Sequence, residues 1–259
     1  MPRETITVGG RRRTLLHVEP SRPDPSAPLL IALHGTTQQG PTMRRFSGRT
    51  LDALAERIGA DLVYLNGYRR AWNDARIVPT SAAQRQDVDD VGFVRAVVER
   101  HGRPAVAIGY SNGGQLVHRL LREAPGTVVG AAIIAAGLPV DEDFRLVGVE
   151  PDHVPIILFH GTADPVVPYE GGATTMLGRP RGVVRSALDT AAEYARSDDP
   201  TLVRTGDVER RDWDGVRLVT QLGTGHVIPN RSTSPAPRFV GPSHHDLDAG
   251  EEIEAFLGL

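Results

Sequence analysis

No cysteine occurs in the 259 residues, which excludes disulfides, thiolate nucleophiles and cysteine-based zinc or iron–sulfur centres. Lysine is missing as well, all 29 basic residues being arginine, so neither a Schiff-base amine nor a P-loop lysine is available. No run reaches the roughly 18–20 apolar residues of a bilayer helix, so no membrane partner is expected. Met1 to Pro20 holds no apolar signal segment followed by small residues; a cytoplasmic location is the expectation, with secretion the alternative if a leader has been removed. The 32 acidic residues leave a net charge of -3, too even a balance to hold a nucleic-acid backbone by a broad positive field. The histidines lack metal-ligand spacing and the Asp pairs read as helix caps, so neither a metal nor another cofactor is expected. What remains is serine, histidine and carboxylate chemistry.

The chain is 40% hydrophobic, ordinary for a packed core, and long enough for one large α/β domain or two small ones. Short apolar runs recur at the spacing of alternating strands and helices. Strands are expected at 5–8, 14–18, Leu29–Leu33, Leu62–Leu65, 105–108, 131–135, 156–159 and Val216–Gln221. Leu51, Leu54, Ala55 and Ile58 fall at helical spacing ahead of Gly59, predicting a helix at about 46–58. Asp89 and Asp90 cap a second helix that ends at His101-Gly102, Leu116 to Leu121 form a third, and a fourth is expected around 184–196. Near-continuous apolar strands between amphipathic helices argue for a mostly parallel sheet covered on both faces. No repeat or composition shift divides the chain. The Pro-rich patches 20–28 and 229–242 read as loops, and the stretch from Gly137 to Val154 is too short for a lid domain, so an open cleft is expected.

Gly109-Tyr110-Ser111-Asn112-Gly113 fits G-x-S-x-G and lies between an expected strand and an expected helix. There the strained turn needs small neighbours so that the serine hydroxyl stands above the sheet. A plain glycine-rich turn is the alternative reading of the five residues. A serine nucleophile needs a base and an orienting carboxylate, and after such an elbow they follow in the order Ser, Asp, His. Asp164 lies just past an apolar strand, where catalytic groups gather in open α/β sheets; an Asx-turn ahead of Pro165 is its other reading. His226 follows Val216–Gln221 on the glycine-rich Gly223-Thr224-Gly225. His244 and His245 have no strand before them, and His153 and His160 come too early in the order. The backbone amide of Asn112 is one candidate oxyanion donor; Thr36, after His34-Gly35, is the other. His34 itself is expected to brace that loop. Trp72 is open between a place beside the acyl or aromatic part of a substrate and packing under its own loop. Tyr110 and Val227, which adjoin Ser111 and His226, are further candidate substrate contacts.

Taken together, Leu33-His34-Gly35, Trp72-Asn73, Asp89-Asp90-Val91-Gly92-Phe93, Gly109 to Gly114, His160-Gly161-Thr162-Ala163-Asp164-Pro165 with Val166 to Tyr169, and Gly225-His226 resemble the polyhydroxybutyrate depolymerase and feruloyl esterase group of α/β-hydrolases, over roughly residues 28–257. The order of these motifs is more specific than any one of them. The resemblance implies an α/β-hydrolase fold with no large lid, over residues 1–259 as one domain, 1–27 supplying leading strands and a Pro-rich loop. It implies Ser111, Asp164 and His226 as a triad, Thr36 and Asn112 as oxyanion donors, and an oligomeric, polymeric or small-molecule ester as substrate. The chain differs from that group in having no cysteine and in placing Val227 where an aromatic residue commonly follows the histidine. A serine acyltransferase, peptidase or perhydrolase would need the same triad; a non-catalytic binding protein of this fold would be expected to have lost part of it.

Overall fold

A computed structural model describes residues 3–176 and 178–259; Met1, Pro2 and Leu177 lie outside the described residues. The order is β1 (Arg3–Val8), β2 (Arg11–Val18), β3 (Leu29–Leu33), α1 (Gly40–Phe46), α2 (Thr50–Ile58), β4 (Leu62–Leu65), α3 (Ala82–Arg85), α4 (Asp90–His101), β5 (Ala105–Tyr110), α5 (Asn112–Glu123), β6 (Gly130–Ile134) and β7 (Ile156–Gly161). It continues with β8 (Gly172–Met176), β9 (Arg179–Val184), α6 (Ala187–Ala192), β10 (Thr201–Thr205), β11 (Val208–Trp213), β12 (Val216–Gln221), α7 (Pro237–Val240) and α8 (Ala249–Leu257).

Among the described residues ten strands form one sheet in the order β1-β2-β4-β3-β5-β6-β7-β12-β11-β10, and β8 with β9 makes a separate hairpin. The strands from β4 to β12 run parallel, while β1, β2, β10 and β11 extend the two edges antiparallel. Successive side chains on a strand point to opposite faces. In β3, Leu29, Ile31 and Leu33 enter one core with Phe93, Val94 and Val97 of α4 and Leu116 and Leu120 of α5. Leu30 and Ala32 enter the other, with Leu51, Leu54 and Ala55 of α2 and Ile253 of α8. Both faces are covered, which is why the central strands read as unbroken apolar runs.

Several elements depart from the expected pattern. The helix expected at about 46–58 starts only at Thr50, as α2, because Gly48 and Arg49 both take left-handed backbone (φ 60° and 61°) and turn the chain away from α1, an unexpected helix that ends at Phe46. The helix expected at 184–196 shrinks to α6: Val184 belongs to β9, and the Ser186 hydroxyl caps the shortened helix by accepting from the Asp189 amide. The hairpin β8–β9, the edge strands β10 and β11, and α8 have no counterpart in the expected elements. Part of the Pro-rich 229–242 stretch forms α7, beside the mouth of the site described next.

Candidate active site

The turn from β5 into α5 holds Ser111 at φ 53°, ψ -116°, a left-handed conformation that costs a non-glycine residue about 1–3 kcal/mol unless its surroundings enforce it. They do. The Ser111 amide donates to Ile134 O of β6 at 2.8 Å. A Cβ on Gly113 would stand 2.0 Å from Leu33 O, and one on Gly109 2.4 Å from Gly113 O. These two glycines let the elbow press against β3 and the start of α5, and that pressure lifts Ser111 above the strand ends.

His226 reaches the serine from the loop after β12. Its Nε2 lies 2.9 Å from Ser111 Oγ and its Nδ1 2.7 Å from Asp164 Oδ2. The loop is pinned by the Tyr110 hydroxyl, which donates to His226 O at 2.8 Å, and by the Gly225 amide, which donates to Pro242 O at 2.8 Å. Asp164 sits in the turn after β7, where its Oδ1 accepts from the Val166 and Val167 amides, each at 2.8 Å, leaving Oδ2 for the imidazole. Burial opposes charge on Asp164, but His226 and the hydrogen-bonded His160 outweigh it and hold its carboxyl well below the usual carboxylate range. The carboxylate therefore accepts from His226 Nδ1–H, and the Nε2 lone pair faces the serine O–H.

Asn112 is the first residue of α5, so its amide has no acceptor within the helix. Its side chain is held at both ends: Oδ1 accepts from the Trp72 amide at 2.8 Å and Nδ2 donates to Asp74 Oδ2 at 2.5 Å. Asp74 is fully buried and also accepts from the Arg76 guanidinium (2.5 Å) and the Gln84 amide group (2.9 Å). Thr36, in the loop after β3, lines a cavity that Ser111 and His226 also line. His34 braces that loop: its Nδ1 donates to Gly35 O at 2.8 Å and its Nε2 accepts from the Gly67 amide at 2.9 Å. Burial holds its pKa down to about 4, so it is neutral near pH 7.

The expected substrate contacts are corrected at two positions. Trp72 is fully buried and does not line the cleft; its indole N–H donates to His34 O at 2.7 Å and its ring packs on His34 with centroids 4.8 Å apart. With an acceptor inside the protein, the indole has no polar end to turn toward the cavity. Val227 is also buried, away from the cavity wall, because the loop turns it inward beside Ile228. Tyr110 does line the cavity. His245 lies elsewhere, bonded to Asn230 O and Ser234.

Two spaces meet at Ser111. One, about 350 Å³, holds His226 and an apolar wall of Phe46, Met176, Ala236, Phe239 and Val240. The other, about 30 Å³, contains Asn112, Gln115, Ala136 and Arg181; Ser111, Thr36, Val166 and Met176 border both. The sequence reading missed Asp74, Gln84, Phe46, Met176 and Phe239. The first two act through contacts remote in sequence, and the others come from elements it did not define.

No family model matches the chain. It is 30% identical to "Putative esterase NocK" of Nocardia uniformis subsp. tsuyamanensis over 289 aligned residues, spanning 98% of this chain and 81% of that protein. The chain belongs to this family of α/β-hydrolase esterases. Acetyl xylan esterase from Aspergillus awamori superposes with a TM-score of 0.64 at 13% identity, over 100% of this chain and 99% of that one. Est1E from Butyrivibrio proteoclasticus does so with 0.56 at 14%, over 86% and 90%. At those identities the likeness establishes the fold, which is that of the α/β-hydrolases with no lid domain evident over the cleft. A carboxylic ester hydrolase is thus the coarse identity of the family member described here.

Proposed function

We propose that this esterase cleaves its substrate through Ser111, with His226 as general base and acid, Asp164 as the orienting carboxylate, and the Thr36 and Asn112 amides as oxyanion donors. The observation that carries the reading is the chain of contacts from Asp164 Oδ2 through both nitrogens of His226 to Ser111 Oγ. Ser111 Oγ attacks the ester carbonyl carbon while His226 Nε2 takes its proton, and the carbonyl oxygen becomes an oxyanion bound by the two amides. The carbon–oxygen bond to the alcohol then breaks, and His226 returns the proton to the leaving oxygen. Water, deprotonated by the same nitrogen, attacks the acyl-enzyme; the acid leaves and Ser111 regains its proton. Asp164 stays ionised throughout and stabilises the imidazolium.

The motif resemblance to polyhydroxybutyrate depolymerases and feruloyl esterases supports hydroxyalkanoate and hydroxycinnamoyl esters as the first substrates to try. The apolar wall beside His226 suits an uncharged organic group. The test compares ester turnover by the unmodified protein and by Ser111→Ala, together with labelling by a fluorophosphonate probe. Turnover should fall at least about 1,000-fold in the variant, and the probe should attach to Ser111 alone. Equal turnover in the two proteins would overturn the assignment.

A further inference from the structure

Two spaces of unequal size meet at Ser111, and the base stands in only one of them. In the reaction proposed above, the alcohol oxygen must lie within hydrogen-bond reach of His226 Nε2 to receive its proton, whereas the carbonyl oxygen points toward the Thr36 and Asn112 amides. His226 lines the 350 Å³ space and not the 30 Å³ one, while Asn112 lines the 30 Å³ space and not the other. The leaving alcohol therefore lies in the large space, and the acyl group on the side of the small one.

The wall of the large space is built onto the loop that carries the base. The His226 amide donates to Val240 O at 2.5 Å, and a Cβ on Gly225 would stand 2.0 Å from that same oxygen. Only the bare glycine backbone allows this approach, which ties α7 to the loop and brings Phe239 and Val240 to the cavity. Aromatic surface continues from the base to the facing side: the rings of His226 and Tyr110 lie 5.1 Å apart, and those of Tyr110 and Phe46 likewise 5.1 Å. Among the described residues that line this space there is no arginine, aspartate or glutamate, whereas Arg76 and Arg181 line the small one. A cavity of about 150 Å³ already holds a benzene molecule, so the large space takes a substituted ring and the small one takes none. Phe239 is 50% exposed, and a ring bound beside it would cover apolar surface that water now touches.

We infer that the large space is the alcohol subsite and that the enzyme selects esters whose bulk is an uncharged, aromatic or comparably apolar alcohol, over esters that carry the same bulk on the acyl side. This rests on the Ser111 reading above. The experiment measures kcat/KM at pH 7, by titrating the acid released, for benzyl acetate and methyl phenylacetate. These are isomers with unactivated leaving alcohols that differ only in which side of the ester bears the ring. The acetate ester of 4-carboxybenzyl alcohol is the charged comparison, and Ser111→Ala is the control. Benzyl acetate should exceed methyl phenylacetate about 10- to 100-fold, the return for burying a phenyl-sized apolar group. It should exceed the carboxylated ester at least about tenfold, because that carboxylate would enter an apolar space that offers it no cation. Phe239→Ala and Phe46→Ala should each lower the ratio between the two isomers about three- to tenfold; if one of them fails to fold, the other and the substrate order of the unmodified protein still decide. Serine-dependent turnover that is equal for the isomers, that favours methyl phenylacetate or the carboxylated ester, or whose isomer ratio is unmoved in the folded variants would overturn the subsite and leave the triad reading intact. Turnover that survives Ser111→Ala would remove both.

Discussion

Asp74→Asn separates the support beneath Asn112 from the reacting groups themselves. Asp74 is completely buried, with one oxygen accepting from the Arg76 amide (3.0 Å) and Gln84 Nε2 (2.9 Å) and the other from Arg76 Nη2 and Asn112 Nδ2 (both 2.5 Å). Asparagine has the same shape, but whichever way its amide turns, an NH2 group meets two donors that had shared a carboxylate oxygen. The Arg76 guanidinium also loses its counter-charge while remaining largely buried. Breaking one half of a buried pair costs about 3–5 kcal/mol, so urea unfolding at pH 7 should show a loss of that size. The loss is a large share of the roughly 5–15 kcal/mol that holds a folded domain. The effect on turnover follows from the tether: with its Nδ2 end released, Asn112 positions its backbone amide less tightly. Losing an oxyanion donor outright costs about 100- to 1,000-fold in kcat, so a displaced one should cost about 10- to 100-fold with KM nearly unchanged. Steady-state kinetics at 20 °C on protein confirmed to be folded provides the readout. Stability within 1 kcal/mol of the parent together with kcat within about twofold would refute the reasoning. A rise in KM at constant kcat would show that Asp74 supports substrate binding rather than the oxyanion donor.

Gly113→Ala drives a Cβ to within 2.0 Å of Leu33 O, a backbone atom of the central sheet that cannot turn aside. A loss of about 3 kcal/mol is expected, seen as a melting temperature lower by about 6–12 °C, and an unchanged melting temperature would contradict the packing account. The buried histidines set an acid limit. Burial lowers His34 to about 4 and His118 to about 3, against an ordinary 6.5, so between pH 6.5 and 4 the unfolded chain binds more protons than the folded one. Stability should fall with pH through that window, by about 3 kcal/mol for each histidine at pH 4. The depressed carboxyl of Asp164 extends the loss to still lower pH. Urea unfolding at pH 7 and pH 4 checks this, and a flat profile would count against neutral, buried imidazoles.

How far the fold could be read in advance depended on where each segment's contacts lie. β3, β5, β6 and β7 are buried on both faces, and that burial writes an apolar run into the sequence wherever the chain crosses the sheet centre. The outer strand β10 is exposed along its whole length, and β11 is only partly covered. Their stability comes from pairing, β11 with β12 and β10 with β11, in registers that no local pattern reveals. The same distinction runs through the candidate site. Ser111 was legible because an elbow needs glycines at fixed offsets, and Asp164 and His226 because strand ends and chain order constrain them. Asp74 directly follows the Trp72-Asn73 motif but has no offset signal of its own, and its distant partners Asn112 and Gln84 are identified only by folding.

Trp72 shows what decides between two open readings of an aromatic residue. An indole suits a substrate cleft or a brace equally well until the destination of its N–H is known. Here that N–H ends on His34 O, in the loop that carries Thr36, and the backbone N–H of the same residue ends on the side chain of Asn112. One residue thus spans the two loops that bear the candidate oxyanion donors. The separation of those donors must match a single oxygen atom to within tenths of an ångström if they are to act together. A rigid, fully buried bridge between the loops sets that separation better than a side chain at the cleft could. On the mechanism proposed above the indole would serve the reaction from beneath the site, through the spacing of the two amides, while Phe46, Met176 and Phe239 supply apolar lining of the cavity at Ser111.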